Sequence, residues 1–536
     1  MAGDLNMVAA GRSMSLGEQL ARSARKYPHK TALRAAGASI DYATLNKNAT
    51  CFAQALWRRG IRQGDRIVVL MHNRIETIEA FYGLNRLGAI VVPVNYRLTD
   101  DEVEYIANDC GASGIVFEES LLPAASKWLR SGTRPQVCIE LGDGVIDGAE
   151  AWNAAMVDSE ITTEFEQILD HAPAFILYTS GTTGRPKGAL LTHINLLMNS
   201  LTMIRETEMA GDDDVWLCGN PLFHVAGVNW LHIHILVGGT LVLMPFGSFD
   251  PTEVVKLLES ELITGCYFVP SQWQQICEVP GIKDRHFRLR RITWGASIAP
   301  LKLLEAIAGL FSSVPIYNCF GQTEMSGLTC ILKGKDAIRK MGSVGQPVLN
   351  IDVRIVSESM QDVAVGQVGE IVYRGPTTLL EYWHNPEATA EAFRGGWFHS
   401  GDLCRIDEEG YIWVVDRVKD MIVSGGENIY PAEVENAISR HPGVRLVAVV
   451  AGPHERWIET PVAFVVPREV DRAPTQQEIV EWCSAFIASY KKPTLVVIVE
   501  SLPVNASGKV LKRVLRDQLW GDLRTTNFAS NDVGHG

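Results

Sequence analysis

Short apolar runs alternate with amphipathic helical patterns through the first two thirds of the chain, and this rhythm most constrains its fold. RIVVLMH (Arg66 to His72) reads as a buried strand, TIEAFYGLNRLG as a helix with a glycine stop, and AIVVPV as the next strand. The pattern recurs as VEYIANDCG then GIVF, VVKLLESELITG then CYFVP, and LKLLEAIAGLF then PIYNCF. Repeated strand–helix–strand units predict an α/β fold of two doubly wound, mainly parallel sheets with helices on both faces. Such sheets bind ligands beyond the carboxyl ends of their strands. Near residue 346 the texture changes. NIDVRIV, GEIVYRG and GYIWVVDR are strands separated by turns, which predicts a small β-barrel-like subdomain over residues 346–416. PAEVENAISRHPG, VRLVAVV, PVAFVV, QEIVEWCSAFIASY and LVVIVES then predict a compact α+β domain. The expected organisation is an N-terminal domain of residues 1–418 and a C-terminal domain of residues 419–536.

At 536 residues the chain exceeds one compact core. Its net charge of −13 argues against a general nucleic-acid binder, which works by neutralising phosphates. An anionic ligand must therefore be held by a local cationic patch. The ten cysteines, from Cys51 to Cys483, include no C-x-x-C pair, so neither a zinc site nor a redox dithiol is suggested. Reduced cysteines used as apolar filler fit better. The N-terminus carries Asp4 and no apolar run of signal-peptide length. The most apolar stretch, Ile233 to Phe246, is too short to span a bilayer and is broken by Gly238 and Gly239. A cytoplasmic enzyme without an integral membrane segment is expected.

YTSGTTGRPKGAL, from Tyr178 to Leu190, gathers glycines, hydroxyls and cations just after the apolar AFIL. Glycine lets backbone N–H groups approach phosphate oxygens closely. Thr179, Ser180, Thr182 and Thr183 add hydroxyl donors, and Lys187 adds charge. A Walker A loop is the obvious alternative and fails on spacing. Lys187 follows Pro186 and precedes Gly188, and no Ser or Thr follows it to hold Mg²⁺. A solvated surface turn is the plain alternative, although such a turn has little use for so many donors.

This stretch resembles the signature loop of the adenylate-forming superfamily, which includes acyl-CoA synthetases, firefly luciferase and the adenylation domains of peptide synthetases. Further motifs follow in the family's order: PLFH (Pro221 to His224), FGQTE (Phe320 to Glu324), GWFHSGD (Gly396 to Asp402), DRVKDMIVSGGENIYPAEVE (Asp416 to Glu435) and LPVNASGKVLKR (Leu502 to Arg513). The likeness covers residues 15–520.

The resemblance implies a reaction in two halves. A carboxylic acid attacks the α-phosphate of MgATP, giving an acyl-adenylate and pyrophosphate. A thiol, usually that of coenzyme A, then displaces AMP. By the same resemblance Thr179, Ser180, Gly181, Thr182, Thr183, Gly184 and Lys187 cradle the phosphates. Phe320 stacks on adenine beside Gly321 and Gln322, where relatives more often have Tyr. Thr323 touches the α-phosphate and Glu324 is the Mg²⁺ carboxylate. Asp402 accepts from the ribose hydroxyls, and Arg417 holds the ribose and phosphate region. Lys509 offsets charge during adenylation. Lys419 marks a hinge about which the C-terminal domain rotates, exchanging Lys509 for the Ser424, Gly425 and Gly426 loop that lines the thiol's channel. His224 gates the acid pocket, whose expected lining is Val225, Ala226, Val228, Trp294, Gly295 and Ala296. A homodimer is compatible with these assignments.

Each assignment has a blander rival. A T-E pair after a strand is otherwise a helix cap, a lone His is a core or surface residue, and a lysine near Lys512 and Arg513 is a solvated basic face. Two positions depart from the family pattern. Asp416 stands where relatives often have Gly, so it either weakens the grip of Arg417 or points outward. Trp294 stands where relatives tend to have a small residue, and Trp294→Gly is expected to change acid preference. These departures leave open an enzyme weak in adenylation that mainly thioesterifies a supplied acyl-adenylate. A carrier-protein thiol is an alternative acceptor, expected as a separate partner because no carrier-like segment follows Lys509. A nucleotide-binding protein without catalysis is the reading from a different class. Amino-acid substrates are disfavoured, because Val225, Ala226 and Val228 offer no carboxylate to an α-ammonium.

Overall fold

Each predicted strand–helix–strand repeat is present, and together the repeats build two large sheets. The structure is a computed structural model. It describes residues 11–519 except 36, 132–134, 143–145, 158–164, 180–184, 210, 297–298, 300, 425–426, 455 and 505–509. Contacts divide the chain into two units. One comprises residues up to Val353 together with Tyr373–Phe398, and the other comprises Arg354–Val372 with His399 onward.

The first unit holds both large sheets. In the eight-stranded sheet the strands Ile90–Pro93, Arg66–Leu70, Gly114–Glu118 and Val137–Leu141 run parallel. Their residues are buried on both faces (Ile67, Val68, Val69 and Leu70 almost completely), as expected of strands covered by helices. Pro173–Thr179 joins this sheet in parallel and then turns back into Lys187–Thr192, its antiparallel partner. The nine-stranded sheet has a parallel centre in which Ile316–Gln322, Arg291–Gly295, Gly265–Tyr267 and Val215–Cys218 are successive neighbours.

Local chemistry sets the helix ends. Gly88, at φ 77°, closes the Ile75–Leu87 helix in the left-handed conformation that glycine adopts without penalty. Thr99 and Glu102 form a capping box at the start of Asp100–Asp109. The Val225–Val237 helix is apolar on nearly every side and is buried accordingly. Trp273, Trp294, Phe268 and Phe311 anchor a core between helices and the nine-stranded sheet.

The second unit carries most of a four-stranded sheet in the order Asp352–Val356, Gly369–Arg374, Phe398–Ile406, Ile412–Arg417. It also carries a five-stranded sheet dominated by the long hairpin Val444–His454 and Ile458–Pro467. The intervening residues 373–398 belong to the first unit, where Glu381–Tyr382 adds an edge strand to Lys187–Thr192. Among the described residues no helix is long and apolar enough to cross a membrane.

Candidate active site

The glycine-rich loop connects an antiparallel hairpin rather than a strand and a helix. Thr179 and Lys187 are the last cross-strand pair before it. Ser180, Gly181, Thr182, Thr183 and Gly184 lie outside the described residues, as do Gly425, Gly426 and Lys509. The loop's stem is tied to the Asp100–Asp109 helix at both ends. Tyr178 OH donates to Asp109 Oδ2 at 2.6 Å, and Tyr105 OH donates to Pro186 O at 3.2 Å. The Arg185 guanidinium lies 5.4 Å from the Tyr105 ring centroid. Burial is the main cause that raises both phenol pKa values, so the hydroxyls remain donors.

Glu324 sits on the short turn Thr323–Met325, at the carboxyl end of Ile316–Gln322. Its Oε1 accepts from Tyr382 OH at 3.0 Å and faces Thr179 Oγ1 at 3.4 Å. Lys187 Nζ lies 5.3 Å from the centroid of the Tyr382 ring. Thr179, Lys187, Tyr382 and Glu324 therefore form one constellation built from three adjacent strands and a turn. Burial first, and then the Glu324 charge, raises the Tyr382 phenol pKa and keeps it a donor. Glu324 Oε2 has no hydrogen-bond partner among the described residues. A carboxylate flanked by hydroxyl oxygens, with one oxygen unclaimed, fits Mg²⁺, which takes one or two carboxylates plus substrate phosphates. Among the described residues there is no cluster of three or more acidic, His or Cys side chains that would enclose a metal by itself.

Phe320, Gly321 and Gln322 lead into this turn along the same strand. A Cβ on Gly321 would fall 1.6 Å from Gly327 O, so only glycine allows the close return of the following strand. Gly295 pairs with Cys319 on the neighbouring strand, and a Cβ there would meet Cys319 O at 2.3 Å. Ala296 follows at φ 67°. Trp294 does not join them. It is 2% exposed, belongs to the same buried core cluster as Trp273 and Phe268, and its indole nitrogen has no partner among the described residues.

His224 caps the Val225–Val237 helix, its Nδ1 accepting from Ala226 N–H at 3.2 Å. That bond places the neutral ring's proton on Nε2. Val225 and Val228 are buried, and Ala226 is half-buried. The preceding Phe223 meets Tyr96 edge-on at 5.3 Å. Tyr96 meets His72 at 4.5 Å, and His72 stacks on the exposed Phe246 at 4.3 Å.

In the second unit Asp402 and Arg417 face each other across paired strands, with Arg417 Nε 3.0 Å from Asp402 Oδ1. Asp416 neither points outward nor engages the Arg417 guanidinium. It is 7% exposed, and its two oxygens accept from Arg417 N–H at 2.7 Å and Ala432 N–H at 2.9 Å, so it caps the Pro431–Ser439 helix. Lys419 lies two residues beyond Arg417, and its carbonyl accepts from Arg516 at 3.3 Å.

Sequence reasoning missed Tyr382, Tyr105 and Asp109. Pairing of the Glu381–Tyr382 strand with Lys187–Thr192 delivers Tyr382 to the site, which no local pattern marks. It also missed Tyr267, whose hydroxyl lies near Gly295 at the strand ends without a hydrogen-bond partner among the described residues.

The chain is similar to known proteins over most of its length. The AMP-binding enzyme family matches residues 20–383, and its C-terminal domain matches residues 433–509. A feruloyl-CoA synthase of Amycolatopsis is 37% identical over 512 residues, covering 94% of this chain and 99% of its own. A long-chain-fatty-acid–CoA ligase of Mycobacterium tuberculosis is 36% identical, covering 89% and 93%. Among solved structures, an anthranilate CoA ligase in complex with anthranoyl-AMP is 26% identical, covers 94% and 97%, and has a TM-score of 0.87. The motifs, the fold and the relatives agree, and the chain belongs to the AMP-binding enzyme family of adenylate-forming acid–thiol ligases.

Proposed function

We propose that this ligase uses MgATP to convert an aromatic carboxylic acid into its acyl-adenylate and then transfers the acyl group to coenzyme A. The constellation of Thr179, Lys187, Tyr382 and Glu324 carries the reading. It sets a cation, hydroxyl donors and a metal-ready carboxylate together at the foot of the glycine-rich loop. Two anions must meet for adenylation, and preorganised donors and cations lower that barrier. Mg²⁺, held by Glu324 together with the substrate's phosphates, supplies charge stabilisation there. Thr179, the loop to Gly184, and Lys187 grip the phosphates, and Thr323 steadies the α-phosphate. By the family motifs we assign Phe320 to adenine, Asp402 and Arg417 to the ribose, and Lys509 to offsetting charge during adenylation. Lys419 serves as the hinge between residues 1–418 and 419–536.

The aromatic class of acid is supported by the rings next to the gate. Phe223, Tyr96, His72 and Phe246 form a continuous series beginning one residue before His224. A planar substrate packs against such faces. Two of the three relatives described above are named for aromatic acids. The test is a panel of aryl and straight-chain acids with ATP and CoA, read by mass spectrometry of the thioester. An aryl acid should give the highest kcat/KM. A straight-chain acid that outruns every aryl acid removes the assignment. A carrier protein offered in place of CoA identifies the acceptor in the same assay.

A further inference from the structure

Two buried asparagines hold the turn that follows Glu324. The chain reverses through Ser326 at φ 55° and Gly327 at φ 118°, both in left-handed backbone. A Cβ on Gly327 would come within 2.2 Å of Asn229 Nδ2, so contact and conformation both demand glycine. Asn229, 2% exposed, donates from Nδ2 to Ser326 O at 2.6 Å. Asn199 is fully buried. With its amide oriented to satisfy its neighbours, it donates to the same carbonyl at 3.3 Å and accepts from Leu328 N–H at 2.9 Å. Ser326 Oγ donates to Thr377 O at 2.8 Å, and Leu379 N–H donates to Glu324 O at 2.7 Å. The backbone around Glu324 is thus clamped from two directions.

Asn229 makes this bond at a cost. Its Oδ1 is buried with no partner among the described residues. A buried amide oxygen without a protein partner costs more than an ordinary hydrogen bond contributes, so packing alone would favour leucine. The donor to Ser326 O is what the asparagine adds. Asn229 also lies on the Val225–Val237 helix, which begins at the His224 cap.

We propose that Asn229, seconded by Asn199, is a positioning residue for adenylation: it fixes the Ser326 turn and thereby aims the Glu324 carboxylate at the metal of MgATP. The helix capped by the acid-gating histidine then also holds the metal carboxylate, which links the two substrate sites. This rests on the reading of Glu324 as the metal ligand. Partners that orient a ligand usually account for about 10–100-fold in metal affinity or activity.

The test compares Asn229→Leu and Glu324→Gln with the unaltered enzyme. Mn²⁺ binding is measured by electron paramagnetic resonance in the presence of α,β-methylene-ATP, whose α,β linkage is not cleaved. Both half-reactions are then assayed, with synthetic acyl-adenylate and CoA for the second, which needs no metal. In Asn229→Leu we expect Mn²⁺ affinity and acid-dependent ATP–pyrophosphate exchange to fall about 10–100-fold. Thioester formation from supplied adenylate should stay at the unaltered rate. Should the leucine variant not fold, Asn229→Asp keeps the shape, loses the donor and serves in its place. Unchanged Mn²⁺ affinity overturns the proposal, as does a parallel fall in both half-reactions and in melting temperature. If affinity is lost in Glu324→Gln but kept in Asn229→Leu, the positioning role alone fails. If Glu324→Gln leaves affinity unchanged, the metal assignment itself fails.

Discussion

Tyr382 binds Glu324 to the loop stem, and its single hydroxyl makes the role easy to isolate. Tyr382→Phe removes one hydrogen bond to a charged oxygen, an interaction worth about 1.5–3 kcal/mol. Adenylation should slow by roughly 10-fold or more, while thioester formation from supplied adenylate stays constant. Equal slowing of both would show that the tyrosine shapes the fold instead. Trp294 gives the opposite case. Its burial in the core means that Trp294→Ala should cost about 3–5 kcal/mol of stability in chemical denaturation. Acid preference is therefore better tested with Trp294→Phe, where an unchanged ranking of acids removes the pocket role. Glu324, His224 and Asp402 could be singled out as candidates in sequence because each stands inside a contiguous motif. Tyr382 and Asn229 were not, because their roles arise from strand pairing and helix packing across some 58 and 97 residues of sequence.

At the scale of elements the 3.6 and 2.0 periodicities were legible, and both large sheets follow them. Three features were not. The glycine-rich loop joins an antiparallel hairpin, which no period reveals. The run QEIVEWCSAFIASY promised one helix, yet the helix ends at Cys483, where bonds from Ser484, Ala485 and Phe486 tighten to i−3 carbonyls. Asp416 caps a helix that begins fifteen residues later, a partnership invisible in sequence. Asp416→Ala leaves the Ala432 N–H and Arg417 N–H without their acceptor. It should lower the second unit's stability by about 1.5–3 kcal/mol. A denaturation midpoint that does not move would mean that water replaces the carboxylate without loss.

At the scale of the whole molecule, buried titratable groups set the response to acid. Burial holds His193 and His232 at a pKa of about 3 and His234 at about 4. His232 shares a 2.7 Å hydrogen bond with Tyr82 and lies near His193, and His234 lies near Asp214 and Arg291. The unfolded chain protonates its histidines near 6.5 and the native state does not, so stability falls as pH drops through that value. Glu79, raised by burial to about 7, opposes this, since the native state keeps a proton that the unfolded chain releases above about 4.5. Between pH 7 and 5.5 the histidines cost about 4 kcal/mol and Glu79 restores about 1.5. Thermal scans should therefore show a net loss on acidification. His193→Gln, which can still accept from Leu16 N–H, should flatten it. A scan that is equally steep with the substitution would place the acid response elsewhere.

If this molecule performs adenylation itself, the hydroxyls and cation beside Glu324 serve ATP. The most direct measurement is pyrophosphate release by purified protein given MgATP and an acid panel, with no thiol present. Pyrophosphate should appear only with an accepted acid, should depend on Mg²⁺, and should be lost in Glu324→Gln. Protein that yields no pyrophosphate with any acid, yet still forms thioester from synthetic acyl-adenylate and CoA, would not be an adenylating enzyme.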